Sequence, residues 1–142
     1  MKVEGALGVK PPAPDFVLVL PVIMPSLNKQ LRMHWKARGR LKKNISWHLY
    51  SVMGREEIAH RDRLAHVTIR VFSNAPKVSG GRARRLDTDN LIGGQKPLVD
   101  AMKNLGLLKD DNPKWAAITY LENRDKVETP RTEIDVSYGG KA

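Results

Sequence analysis

Two pairs of aspartates bracket a short apolar segment. Asp87 and Asp89 lie one residue apart, and Asp110 and Asp111 are adjacent. Carboxylates spaced this way suit hard divalent cations such as Mg²⁺, which take oxygen ligands from one or two carboxylates plus water and phosphate oxygens. In an extended segment, side chains two residues apart point to the same side. Asp87 and Asp89 would then form one half of a ligand set, with Asp111 as the third carboxylate if the chain doubles back. Taken singly, each cluster is also ordinary cap and turn chemistry: Asp and Asn before a helix, Asp-Asp-Asn-Pro after it. Their coincidence in a chain otherwise rich in Lys and Arg favours metal binding.

The segment between them must position the two pairs. Leu98, Ala101, Met102 and Leu105 recur at spacings of three and four, which predicts a helix over 97–105. Pro97 suits its first turn, where a missing N–H is no loss, and Gly106 suits the residue just past its end. Such a helix is roughly 14 Å long at about 1.5 Å per residue, so the fold has to return Asp111 beside it. Upstream, Ile45 to about Arg63 is the longest helical candidate, with Asn44 or Ser46 as cap. Strands are expected at 16–20, 65–73, 115–121 and 132–138, the last two joined by a polar turn over 123–130. Glu133 and Asp135 alternate with Ile134 and Val136, which gives that strand one solvated face. The order is β-α-β-α-β-β, a small α/β (α+β) domain with two helices and a mixed sheet. Residues 1–15, with Gly5, Gly8, Pro11, Pro12 and Pro14, read as a flexible arm, and 16–142 as the domain.

Charge narrows the partners. The net charge is +10 and the pI about 10.1, so a polyanion is expected, nucleic acid first. Seven Lys or Arg residues fall between Lys29 and Lys43, interleaved with Trp35. Lys29, Arg32, Trp35, Lys36, Arg38, Arg40, Lys42 and Lys43 thus read as a phosphate-binding loop. A second loop, 74–85, brings Arg82, Arg84 and Arg85 up to Asp87 and could hold a scissile phosphate. A membrane partner is disfavoured. The apolar run 16–24 is only nine residues long and lacks the flanks of a signal peptide. There are no cysteines, which excludes disulfides and cysteine-ligated metal and fits a reducing cytoplasm. His48 and His60, twelve apart, do not match paired metal histidines, and Gly93-Gly94-Gln95-Lys96 is not a phosphate-binding P-loop.

The central stretch resembles the RusA-type Holliday junction resolvases, Mg²⁺-dependent endonucleases common in phages and prophages. Their pattern is Asp-x-Asp-Asn-Leu, a lysine, a helix containing Asp-Ala, a Gly-containing turn and Asp-Asp. Here it reads Asp87-Thr88-Asp89-Asn90-Leu91, Lys96, Asp100-Ala101, Gly106 and Asp110-Asp111. Pro25-Ser26-Leu27-Asn28, after the first strand, matches the family's Pro-Ser-x-Asn segment and adds Asn28 to the expected DNA contacts. The resemblance implies catalytic roles for Asp87, Asp89, Lys96 and Asp111, the three aspartates as metal ligands. It implies Mg²⁺, with Mn²⁺ as a substitute, and a homodimer acting on four-way junctions in DNA recombination and repair. A cytoplasmic, bacterial or phage-encoded protein is expected. Four residues, Ile92-Gly93-Gly94-Gln95, separate Asn90-Leu91 from Lys96, a longer interval than in the shorter family pattern. Counted back from Asp111, Lys96 keeps the family interval. Gly93 and Gly94 would be absorbed as a bulge or turn before the helix. The alternatives are a non-catalytic basic DNA-binding module, or another metal-dependent nuclease acting on RNA or other branched DNA.

Overall fold

The computed structural model describes residues 14–53, 62–73, 88–123 and 129–139, with the backbone alone for 88–90 and 123. The expected arm up to residue 13, residues 54–61 of the expected long helix, and the segment 74–87 with Arg82, Arg84, Arg85 and Asp87 lie outside the described residues. The elements are β1 (Phe16–Leu20), α1 (Leu27–Leu31), α2 (Trp35–Val52), β2 (Ala65–Phe72), α3 (Thr88–Gly94), α4 (Lys96–Asn104), β3 (Ala116–Asn123) and β4 (Arg131–Tyr138).

The four strands form one sheet in the order β1-β4-β2-β3. β4 runs antiparallel to both β1 and β2, whereas β3 runs parallel to β2. The sheet is therefore mixed, as expected, and the fold is α+β. A parallel neighbour needs a crossover, and α3 and α4 lie in the connection between β2 and β3. Strand alternation sorts the two faces. Leu18, Leu20, Val67, Ile69, Val71, Ile134 and Val136 are buried on one face. Ile45 and Leu49 of α2 and Leu98, Ala101 and Met102 of α4 join them in the same core. Burying a Leu or Met side chain of this kind stabilises by roughly 1.5–3 kcal/mol. The other face carries charge: Arg70 donates to Asp135 at 2.6 Å and Arg131 to Glu133 at 2.7 Å. Asp15, the last residue of the expected arm, is tied to the sheet. Its N–H donates to Val136 O and its carboxylate accepts from Tyr138 N–H, both at 2.8 Å.

Among the described residues there are four helices, where two were expected for the chain. α2 begins at Trp35, ten residues before the expected start, and absorbs most of the stretch read as a basic loop. His34 provides the reason. It has extended backbone and its Nδ1 accepts the Lys36 N–H at 3.2 Å, a side-chain cap. The Lys, Arg, Ala and Leu that follow are good helix formers despite their charge. α2 ends at Val52, because Met53 is extended again. α1 is capped by Ser26, whose Oγ accepts the Lys29 N–H at 3.2 Å. The serine of the Pro-Ser-x-Asn segment thus starts a helix. α3 was read as extended. From Thr88 onward the backbone is helical, so the extended conformation expected there is absent at Thr88 and Asp89.

Candidate active site

α4 is the rigid element of the site, and both its ends were legible. Pro97 sits in its first turn. At the other end Gly106 has φ 90°, its N–H donates to Lys103 O at 3.1 Å, and the Leu107 N–H donates to Met102 O at 2.9 Å. This is the Schellman ending, which only glycine adopts without strain. The Tyr138 hydroxyl donates to Leu107 O at 2.9 Å and fixes the exit of the chain. The turn after it is closed by its own side chains. Asp110 Oδ1 accepts the Asp111 N–H at 2.8 Å and Asp110 Oδ2 accepts from Asn112 Nδ2 at 3.0 Å. That backbone donor, with Lys103 Nζ at 3.4 Å, holds the Asp110 carboxyl below its usual range. Asp110 therefore builds the turn, and the Asp111 side chain is left for the site.

Lys96 and Asp111 come together. Lys96 Nζ lies 3.2 Å from Asp111 Oδ2 and 3.2 Å from Asp100 Oδ1. The hydrogen bond to Asp111, then that to Asp100, raises the Lys96 ammonium above its ordinary pKa, so it stays charged at neutral pH. The pair borders an open cleft of about 310 Å³ lined by Leu27, Ile92, Gly93, Val99, Ile118 and Tyr120 as well. Burial raises the Tyr120 phenol, with Lys96 and Asp111 acting on it in opposite directions. Asp100 and Tyr120 were missed by sequence reasoning as site residues. Asp100 stood four residues after Lys96 on a recognised helix, a spacing that meets on one face. Tyr120 shares the core-facing alternation of Ala116 and Ile118, but only the sheet order brings it beside α4.

Position 89 lies three and four residues before Ile92 and Gly93, on the same face of α3, and those two line the cleft. Asp87 lies outside the described residues. Among the described residues no three His, Cys, Asp or Glu side chains converge as a metal-binding group. The donors that could hold a metal, Asp87, Asp89 and Asp111, are all carboxylates, which fits a hard cation and not a soft one.

Gly93 and Gly94 do not form a bulge. They end α3, where α1 crosses it closely. A Cβ on Gly94 would lie 2.6 Å from Pro25 O, and one on Gly93 2.6 Å from Leu27 Cδ2. Asn28, Lys29 and Arg32 lie in or at the end of α1, and Trp35, Lys36, Arg38, Arg40, Lys42 and Lys43 on α2, all exposed.

A cation held between carboxylates, at an open cleft in a strongly basic chain, is an arrangement that can meet a phosphate ester. The family described as Endodeoxyribonuclease RusA matches residues 26–137, most of the chain, and the protein belongs to that family of DNA-cutting enzymes. No curated protein matches the chain. Among the described residues no helix is long and apolar enough to cross a membrane.

Proposed function

We propose that this protein is a Mg²⁺-dependent, structure-selective endonuclease that resolves Holliday junctions by paired phosphodiester hydrolysis, in recombination and repair. The observation that carries the proposal is the contact of Lys96 with Asp111 across fifteen residues of chain, at the mouth of a cleft that α3 also lines. Asp87, Asp89 and Asp111 would hold the divalent cation, with Mn²⁺ as a substitute, and the bound ion would supply an activated water and neutralise leaving-group charge. Lys96 keeps its proton and offers a donor to the extra negative charge that develops on the scissile phosphate. Asp100 and Asp111 orient that ammonium from two sides. The exposed cations of α1 and α2 hold the DNA backbone. The protein acts as a homodimer, since a four-way junction has two-fold symmetry and needs two incisions. A cytoplasmic setting in a bacterium or a phage-infected cell follows from that substrate.

The test is cleavage of a labelled four-way junction, with duplex, single-stranded DNA and RNA as competitors. Cleavage in Mg²⁺ that stops in EDTA, together with an Asp111→Asn variant that binds the junction and does not cut it, is the expected result. Binding without metal-dependent cleavage would make the chain a DNA-binding module, and preference for RNA would make it a different nuclease.

A further inference from the structure

The solvent face of α2 carries features that the cleft does not use. α2 holds five Lys or Arg residues and no Asp or Glu. At about 100° per residue, Lys36, Arg40, Lys43, Trp47 and Tyr50 fall within an arc of about 80°. That arc is opposite the edge on which Ile45 and Leu49 are buried. The five form one stripe about 21 Å long, cations first and aromatics last. Trp47 and Tyr50 are 64% and 68% exposed, one helical turn apart, so the core does not need them. The Trp47 and His48 rings pack in a T-shape, with centroids 5.3 Å apart at 79°.

We propose that this stripe is a track for single-stranded DNA, in which the three cations follow phosphates and Trp47 and Tyr50 stack on bases opened at the branch. The proposal rests on the DNA substrate proposed above and adds how a branch would be told from plain duplex. Cations alone grip any duplex, whereas an aromatic face gains only where bases are unstacked. A second copy of the chain is a poor occupant, because it would set two stripes of three cations each, on helices without acids, face to face. A membrane surface is a poor one too. An interfacial helix separates cations and aromatics onto opposite faces, and here they share one face in succession.

Binding is measured by fluorescence anisotropy in Ca²⁺ or EDTA, on an oligo-dT strand, a duplex and a four-way junction. The variants are Trp47→Ala/Tyr50→Ala and, separately, Lys36→Ala/Arg40→Ala/Lys43→Ala. The aromatic variant should bind the single strand and the junction at least about fivefold more weakly, with duplex affinity changed less than about twofold and an unchanged salt slope. The cation variant should flatten the salt slope by about two to three units on all three DNAs. Equal losses on all three DNAs, or no loss, for the aromatic variant overturn the proposal. So does a dimeric protein that turns monomeric in that variant by sedimentation, since the face would then join two copies. Should the double variant lose its helical circular dichroism, Trp47→Leu decides in the same way, because it keeps an apolar helix former without a stacking face. If the unaltered protein binds none of the three DNAs, the proposed function itself fails. If it binds them and the aromatic variant is indistinguishable, only the stripe is wrong.

Discussion

Gln30 Nε2 donates to the carbonyl oxygen of Gly94 at 2.8 Å and to that of Pro25 at 2.7 Å. One buried amide thus joins the start of α1 to the end of α3, and Gly94 lies sixty-four residues after Gln30. Lys96 follows two residues on. Gln30→Leu should leave both carbonyls without this donor and destabilise the protein by about 1–3 kcal/mol, the usual consequence of orphaning buried groups. Urea unfolding followed by circular dichroism measures it. A loss below about 0.5 kcal/mol would mean that water replaces the amide at no penalty.

The same crossing decides what glycine does at 94, and open space decides it at 39. Gly94→Ala places a methyl 2.6 Å from the Pro25 carbonyl oxygen, against backbone that cannot step aside. Overpacking of this kind costs about 1–3 kcal/mol. Gly39, inside α2, has nothing within 4 Å of a built Cβ. Gly39→Ala should therefore stabilise by about 0.5–1 kcal/mol through the helix propensity gained. Thermal unfolding of the two variants should shift the midpoint in opposite directions.

The sequence was most legible where one local rule governs. Pro97 and Gly106 bracketed α4 because a missing N–H and a positive φ are each tied to a residue type. The inward alternation of β2 and β4 was visible because one face is buried. The start of α2 was not legible, since its cap is a histidine and its first two turns look like a solvated loop by charge alone. α3 was hidden for a different reason. Its glycines suggested a bulge, but they serve a helix crossing, and close approach between elements distant in sequence leaves no periodic trace. The meeting of Lys96 and Asp111 was reachable only through their interval, while the place of Tyr120 needed β3 set parallel beside β2.

Gln95, between α3 and α4, is 2% exposed, and its Oε1 has no hydrogen-bond partner among the described residues. A buried acceptor left without a donor costs about 1–3 kcal/mol. Gln95→Met keeps length and flexibility and removes the acceptor, so stability should be unchanged or rise by about 1 kcal/mol. Differential scanning calorimetry checks this. A fall of more than about 1 kcal/mol would show that the amide oxygen has a donor, and would assign Gln95 to holding Lys96 in place.

Lys96 is where stability and chemistry can be told apart. Its ammonium touches Asp100 and Asp111, both partly exposed, and exposed ion pairs stabilise little, about 0–1 kcal/mol. Lys96→Ala should therefore unfold nearly as the unaltered protein does. Cleavage should fall by about a hundredfold or more, as on removal of one transition-state donor, with junction affinity in Ca²⁺ changed little. Lys114→Ala is the control, because that lysine rests on the Trp115 ring, 5.6 Å from its centroid. Mn²⁺ binding separates the roles further. Without the lysine, Asp100 and Asp111 lose a competing cation, so Lys96→Ala should bind Mn²⁺ as well as before or more tightly. Asp111→Asn should bind it more weakly. If Lys96→Ala and Lys114→Ala cut equally well, the lysine only balances charge. If Lys96→Ala fails to cut and also loses Mn²⁺, its part is to shape the carboxylates and not to meet the phosphate.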